Sequence, residues 1–159
     1  MPKFQYISLH LLFVVLVLFS FFTPPRAFAA ADLEVAGWVP YWSGTKGPRD
    51  AQKHLDSIDE VHLFGYSIKS DGTLYDLMEL KKDGWKKLID SARAKKVLVT
   101  PTVMASDGAL VHDILSSEHK RAAHIESIMQ MVGDGEFDGV NIDYEGKLAE
   151  TKDYFSLFL

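Results

Sequence analysis

Asp138-Gly139-Val140-Asn141-Ile142-Asp143-Tyr144-Glu145 is the stretch on which the fold turns. Successive side chains of an extended strand point to opposite faces. Asn141, Asp143 and Glu145 therefore share one face, and Val140, Ile142 and Tyr144 share the other. The apolar face suits packing under helices, and in a barrel the polar face would be the interior. Two carboxylates held on one face do not both ionise freely. A carboxyl that keeps its proton at the C-terminal end of a barrel strand is placed to donate it. Two plainer readings stand beside this one. The segment could be an acidic surface loop, although the alternation and the internal Gly139 weaken that. It could also supply oxygen ligands to calcium, although the glycine turn and spaced ligands of an EF-hand loop are missing.

Working outward, short apolar runs alternate with helical patterns. Leu33 to Tyr41, Glu60 to Ile68, Lys96 to Val103 and Phe137 to Tyr144 read as strands, rich in β-branched and aromatic residues. Pro101 is expected at the end of the third, since proline cannot donate to a ladder. Pro48 to Ser57, Asp83 to Ala94 and Glu118 to Val132 read as helices. In the last, Ala122, Ile125, Ile128, Met129 and Val132 fall on one face, and Gly133 to Gly135 is expected to end it. Ser70-Asp71-Gly72 is a turn, and Glu150 to Leu159 reads as the start of a further helix. Four βα units in a row predict an α/β protein with a parallel sheet. An open doubly wound sheet and a closed barrel share this rhythm. No nucleotide-binding glycine pattern favours the open form.

The chain has 159 residues, below the roughly 250 of a complete eight-stranded barrel. Its formal net charge is -5 with no basic patch, so nucleic acid is not an expected partner. It has no cysteine, which excludes disulfides and a thiolate nucleophile. The N-terminus predicts export. Lys3 precedes an apolar run from Ile7 to Phe22, followed by Pro24, Pro25 and the small-residue pattern Ala27-Phe28-Ala29. That is the form of a signal peptide over residues 1–29, cleaved after Ala29. The alternative is an uncleaved membrane anchor, for which the run is slightly short. The remaining domain, residues 30–159, lies outside the cytoplasm on either reading.

FDGVNIDYEG resembles the D-x-x-D-x-D-x-E signature of glycoside hydrolase family 18, the chitinase-like family. Asp138, Asn141, Asp143 and Glu145 occupy its four acidic positions. AGWVPYW (Ala36 to Trp42) and LFGYSI (Leu63 to Ile68) resemble the family's first two strands. The likeness is greatest to the bacterial spore-cortex and germination hydrolases. It implies a (β/α)8 TIM barrel, of which this chain reads as the N-terminal half, truncated after about four βα units. It also implies a glycosidase acting with retention by substrate-assisted catalysis on N-acetylated polymers such as chitin or peptidoglycan. Glu145 would be the acid, Asp143 would orient the acetamido group, Asn141 would bond Asp143, and Asp138 would support the strand. Asn141 departs from the usual aspartate. The family's S-x-G-G pattern is absent from the third strand, where Thr100 aligns best with that serine. A carbohydrate-binding protein without activity, or an inactive fragment, is the alternative on the same fold.

Other residues are weighed by chemistry. Tyr41, Trp42 and Tyr66 lie near strand ends and could stack on sugar rings or fill the core. Trp38 and Trp85 are expected in the core. His54, His62, His112, His119 and His124 lack metal-ligand spacing and are read as surface or structural, so neither a metal nor another cofactor is expected.

Overall fold

The computed structural model describes residues 33–159. The expected signal peptide, residues 1–29, lies outside the described residues. Element order is β1 (Ala36–Pro40), α1 (Lys46–His54), β2 (Glu60–Ile68), β3 (Leu74–Asp76), α2 (Asp83–Ala94), β4 (Leu98–Ala105), α3 (Gly108–Ser116), α4 (Glu118–Gly135), β5 (Asn141–Tyr144) and α5 (Lys152–Phe158). Short 3-10 turns occupy Tyr41–Ser43, Leu55–Ser57 and Ala149–Thr151.

The parallel strands lie side by side in the order β1-β2-β4-β5. A doubly wound sheet reverses direction at a switch point. Here the order never reverses, which is the winding of a barrel wall. β3 pairs antiparallel with the far end of β2, through Tyr66, Ser67 and Ile68.

The helices cover one face. Val61 and Leu63 of β2 and Val99 of β4 are buried with Trp85, Leu88, Ile89 and Ala92 of α2. Val103 and Ala105 of β4 and Tyr144 of β5 are buried with Val111, Ile114 and Leu115 of α3 and Ile128 of α4. This apolar packing supplies the main stabilisation of the sheet, since burying one such side chain contributes about 1.5–3 kcal/mol.

Several expectations need correction. Pro101 lies inside β4, in register with Leu63. Val99 and Ala105 direct their backbone groups towards the β5 side. Alternation puts Pro101 on that same side, and the β5 ladder begins only at the next pair, Thr102 with Asn141. No ladder hydrogen bond is lost there. On α4 the buried residues are His124 and Ile128, while Met129 is 64% exposed and Ile125 36%. Apolar periodicity missed this rotation because His124, a polar residue, has a partner for each ring nitrogen. α4 does end in the Gly133 to Gly135 stretch, but the left-handed cap is not a glycine. The helix runs through Gly135, and Glu136 takes the left-handed position at φ 50°. Both β3 and α3 lay outside the sequence reading. Trp85 is buried as expected, but Trp38 is 59% exposed on the face without helices.

Candidate functional site

The site is built on β5. Before the strand begins, Asp138 clamps the chain to β4. Its backbone N–H donates to the Val99 carbonyl at 3.1 Å, and its Oδ2 accepts from the Val99 N–H at 2.8 Å. Asn141, Ile142, Asp143 and Tyr144 then pair with Thr102, Val103, Met104 and Ala105. Beyond the strand, the Glu145 N–H still donates to the Ala105 carbonyl at 2.8 Å, so the extended run reaches Glu145. Val140, Ile142 and Tyr144 pack into the helix-side core. Alternation therefore assigns Asn141 and Asp143 to the open face. Both are half-buried, and Glu145 is exposed at the rim.

Tyr144 anchors the strand from behind. Its hydroxyl donates to His124 Nε2, and His124 Nδ1 donates to the Gly72 carbonyl at 2.6 Å. That pairing requires the neutral imidazole. Burial pushes the His124 pKa down, with the Gly72 hydrogen bond opposing, and burial pushes the Tyr144 phenol up.

Two glycines fix the turn after Glu145. Gly146 sits at φ 60°, in the left-handed region that side chains disfavour. Its carbonyl oxygen lies only 2.0 Å from where a Cβ on Gly108 would be. The first turn of α3 thus rests directly against the backbone that carries Glu145. Asp107 caps that turn by accepting from the N–H groups of Ala109 and Leu110 at 2.9 and 3.1 Å.

Across the open face, Asn141 meets β2. Its Nδ2 lies 2.9 Å from His62 Nδ1. His62 Nε2 is 3.8 Å from Glu60 Oε1, and Glu60 accepts a hydrogen bond from Thr100 Oγ1. Aromatic rings flank this polar row. Trp38 stands edge-on to His62 at 6.4 Å and packs on Phe64 at 5.5 Å, and Trp42 also meets Phe64 at 5.5 Å. A cavity of about 290 Å³ opens among Ala36, Gly37, Trp38, His62 and Asn141. Such a surface offers a hydrogen-bonding floor beside apolar ring faces.

The structure separates the residues singled out as ligand-binding. Trp42 is 66% exposed and joins the aromatic row. Tyr41 touches Trp42 but is packed partly against the helix-side core. Tyr66 follows a register shift in β2, pairs with Val103 and Asp76, and packs against both buried clusters. Its hydroxyl pKa is pushed up by burial and then by the Asp76 charge. Thr100 is buried and engaged with Glu60, close to Gly139 and below Asn141. Sequence reasoning missed His62, Glu60 and Phe64 as parts of this face. It also missed Thr102, which lies abreast of Asn141 with its Oγ1 buried and unpartnered. Only the strand register could have found them, because 79 residues separate His62 from Asn141.

The sheet, its winding and its helix cover have the fold of part of a chitinase-type TIM barrel. Among solved structures, a class V chitinase from Pseudomonas fluorescens Pf-5 matches 79% of this chain with a TM-score of 0.70 at 20% identity. The spore cortex-lytic enzyme SleL of Bacillus cereus matches the same share with a TM-score of 0.69 at 16% identity. A family GH18 chitinase from Cycas revoluta, solved as a complex with allosamidin, matches it with 0.66 at 11%. The match takes in 39%, 31% and 38% of those three chains, so this chain spans well under half the length of each. No protein-family model matches the chain, and no curated protein matches it.

Proposed function

We propose that this chain forms part of an exported glycosidase of the family 18 kind, which hydrolyses β-linked polymers containing N-acetylglucosamine, chitin or peptidoglycan. The observation that carries the reading is the extended run from Asn141 to Glu145. It alternates polar and apolar side chains at the C-terminal end of a barrel strand, where such folds place their chemistry. The likeness of fold to chitinases and to a cortex-lytic enzyme supports the substrate class.

In this reading Glu145 protonates the glycosidic oxygen. The substrate's 2-acetamido carbonyl oxygen attacks the anomeric carbon as the glycosidic bond breaks, and the leaving sugar departs with the proton. Water then opens the cyclic intermediate while Glu145 takes a proton back. No enzyme nucleophile is required, and the configuration is retained. Asp143 orients the acetamido group and stabilises the charge that develops on it. Asp138 holds the strand in register through Val99. Trp38 and Trp42 offer ring faces to the sugar, and Thr100 supports the floor through Glu60.

The acetamido requirement provides the test. Reducing ends are measured from a chitooligosaccharide and from its fully deacetylated counterpart, using the protein that carries this chain. Release from the first alone is expected. Equal release from both would refute substrate assistance.

A further inference from the structure

Asn141 stands where the family signature has an acid, and an amide differs from a carboxylate in having two unlike ends. One end only donates and the other only accepts. Which end faces β2 is therefore a chemical property of the site, and something must fix it.

The contacts of His62 do so. Asn141 Nδ2 lies 2.9 Å from His62 Nδ1. An amide nitrogen cannot accept, so Nδ1 must, and the ring proton then resides on Nε2. Nε2 is the atom turned towards Glu60 Oε1, at 3.8 Å. That spacing is too long for a hydrogen bond but places a negative charge on the side of the N–H. Glu60 is itself held by Thr100 Oγ1. Trp38, edge-on to the ring, brings no competing hydrogen bond to Nδ1. The row Thr100–Glu60–His62–Asn141 thus runs across β4, β2 and β5, with hydrogen bonds at its two ends and a longer electrostatic contact between Glu60 and His62.

We infer that His62 is a positioning residue that locks the Asn141 amide with Nδ2 towards β2 and Oδ1 turned away from it. The Asn141 substitution and the β2 histidine form one unit. An asparagine without the histidine would be free to turn either end to β2. The consequence for chemistry rests on the glycosidase reading, but the pair does not.

The test is spectroscopic and uses the chain as it stands. Long-range proton–nitrogen correlation of the imidazoles identifies the His62 tautomer. The wild type is expected to show the Nε2–H form, with Asn141 side-chain amide protons protected from solvent exchange. Asn141→Asp, which can only accept at that position, moves the ring proton to Nδ1. His62→Leu removes the protection of the Asn141 amide, and His62→Gln, whose Oε1 accepts in place of Nδ1, restores it. Backbone signals of β4 and β5 report that the fold is kept. An Nδ1–H tautomer in the wild type, which needs no variant to observe, would overturn the inference. So would unchanged amide protection in His62→Leu. Loss of the glycosidase reading through an active Glu145→Gln enzyme would leave these spectra as they are, so the two failures are distinguishable.

Discussion

Replacing Gly108 by alanine should damage the site from behind while leaving the fold in place. The added Cβ would lie 2.0 Å from the Gly146 carbonyl oxygen and 3.0 Å from its carbon. Ordinary contact begins at 3.4 Å, so the two backbones must part by about 1.4 Å. Neither side yields by rotating a side chain, because both atoms belong to the main chain. α3 is pinned by the Asp107 cap and by the buried Val111, Ile114 and Leu115, so the turn after Glu145 should give way. Overpacking of this kind costs about 1–3 kcal/mol, which a folded domain of ordinary stability survives. A displacement of about 1 Å in a reacting group costs about 100-fold in rate. Gly108→Ala is therefore expected to melt cooperatively, somewhat below the wild type, with kcat on a chitooligosaccharide reduced about 100-fold. Gly133→Ala is the control. It sits near the end of α4 with nothing within 4 Å of its added Cβ, so it should be neutral or stabilising by about 0.5–1 kcal/mol and should not touch activity. Activity of Gly108→Ala within a few-fold of wild type would refute the claim that α3 positions Glu145.

Leu88 is wholly buried between α2 and the sheet, so Leu88→Ala should cost about 2–5 kcal/mol in denaturant unfolding. Tyr144→Phe leaves His124 Nε2 buried without its partner and should cost about 1–3 kcal/mol. His124 should make stability depend on pH. Its folded pKa is depressed by burial, so the unfolded chain binds the proton more readily. The contribution is complete above the unfolded value of about 6.5 and is lost as pH falls through the folded value. The melting temperature should drop as the pH is lowered below about 6.5, and that drop should shrink in His124→Gln. An unchanged drop in the variant would contradict the assignment.

β2 and α2 could be read to the residue because each carries its own signal. β2 is a β-branched and aromatic run, and α2 places Trp85, Leu88, Ile89 and Ala92 at helical spacing. The alternation of β5 was equally plain, since Ile142 and Tyr144 announce one face and Asn141 and Asp143 the other. What escaped reading depends on partners remote in the chain. Pro101 is tolerated within β4 because the neighbouring ladder starts one pair later. His124 is buried because Gly72 and Tyr144 satisfy it. Trp38 reads as core by hydropathy, yet it lies on the face that no helix covers. His62 resembled any isolated histidine until the strand order brought β2 and β5 to the two sides of β4. Tyr66 lay one residue past an irregularity in β2 that reversed its side.

The central claim is that Glu145 donates the proton that releases the leaving sugar. It is tested by assaying Glu145→Gln on two substrates that share the same N-acetylated sugar: a natural glycosidic linkage, and an aryl glycoside whose leaving group departs without a proton. General acid catalysis contributes about 10²–10⁴-fold, so the variant should lose that much on the first and almost nothing in the bond-breaking step of the second. Equal loss on both substrates, or full activity on both, would contradict the account.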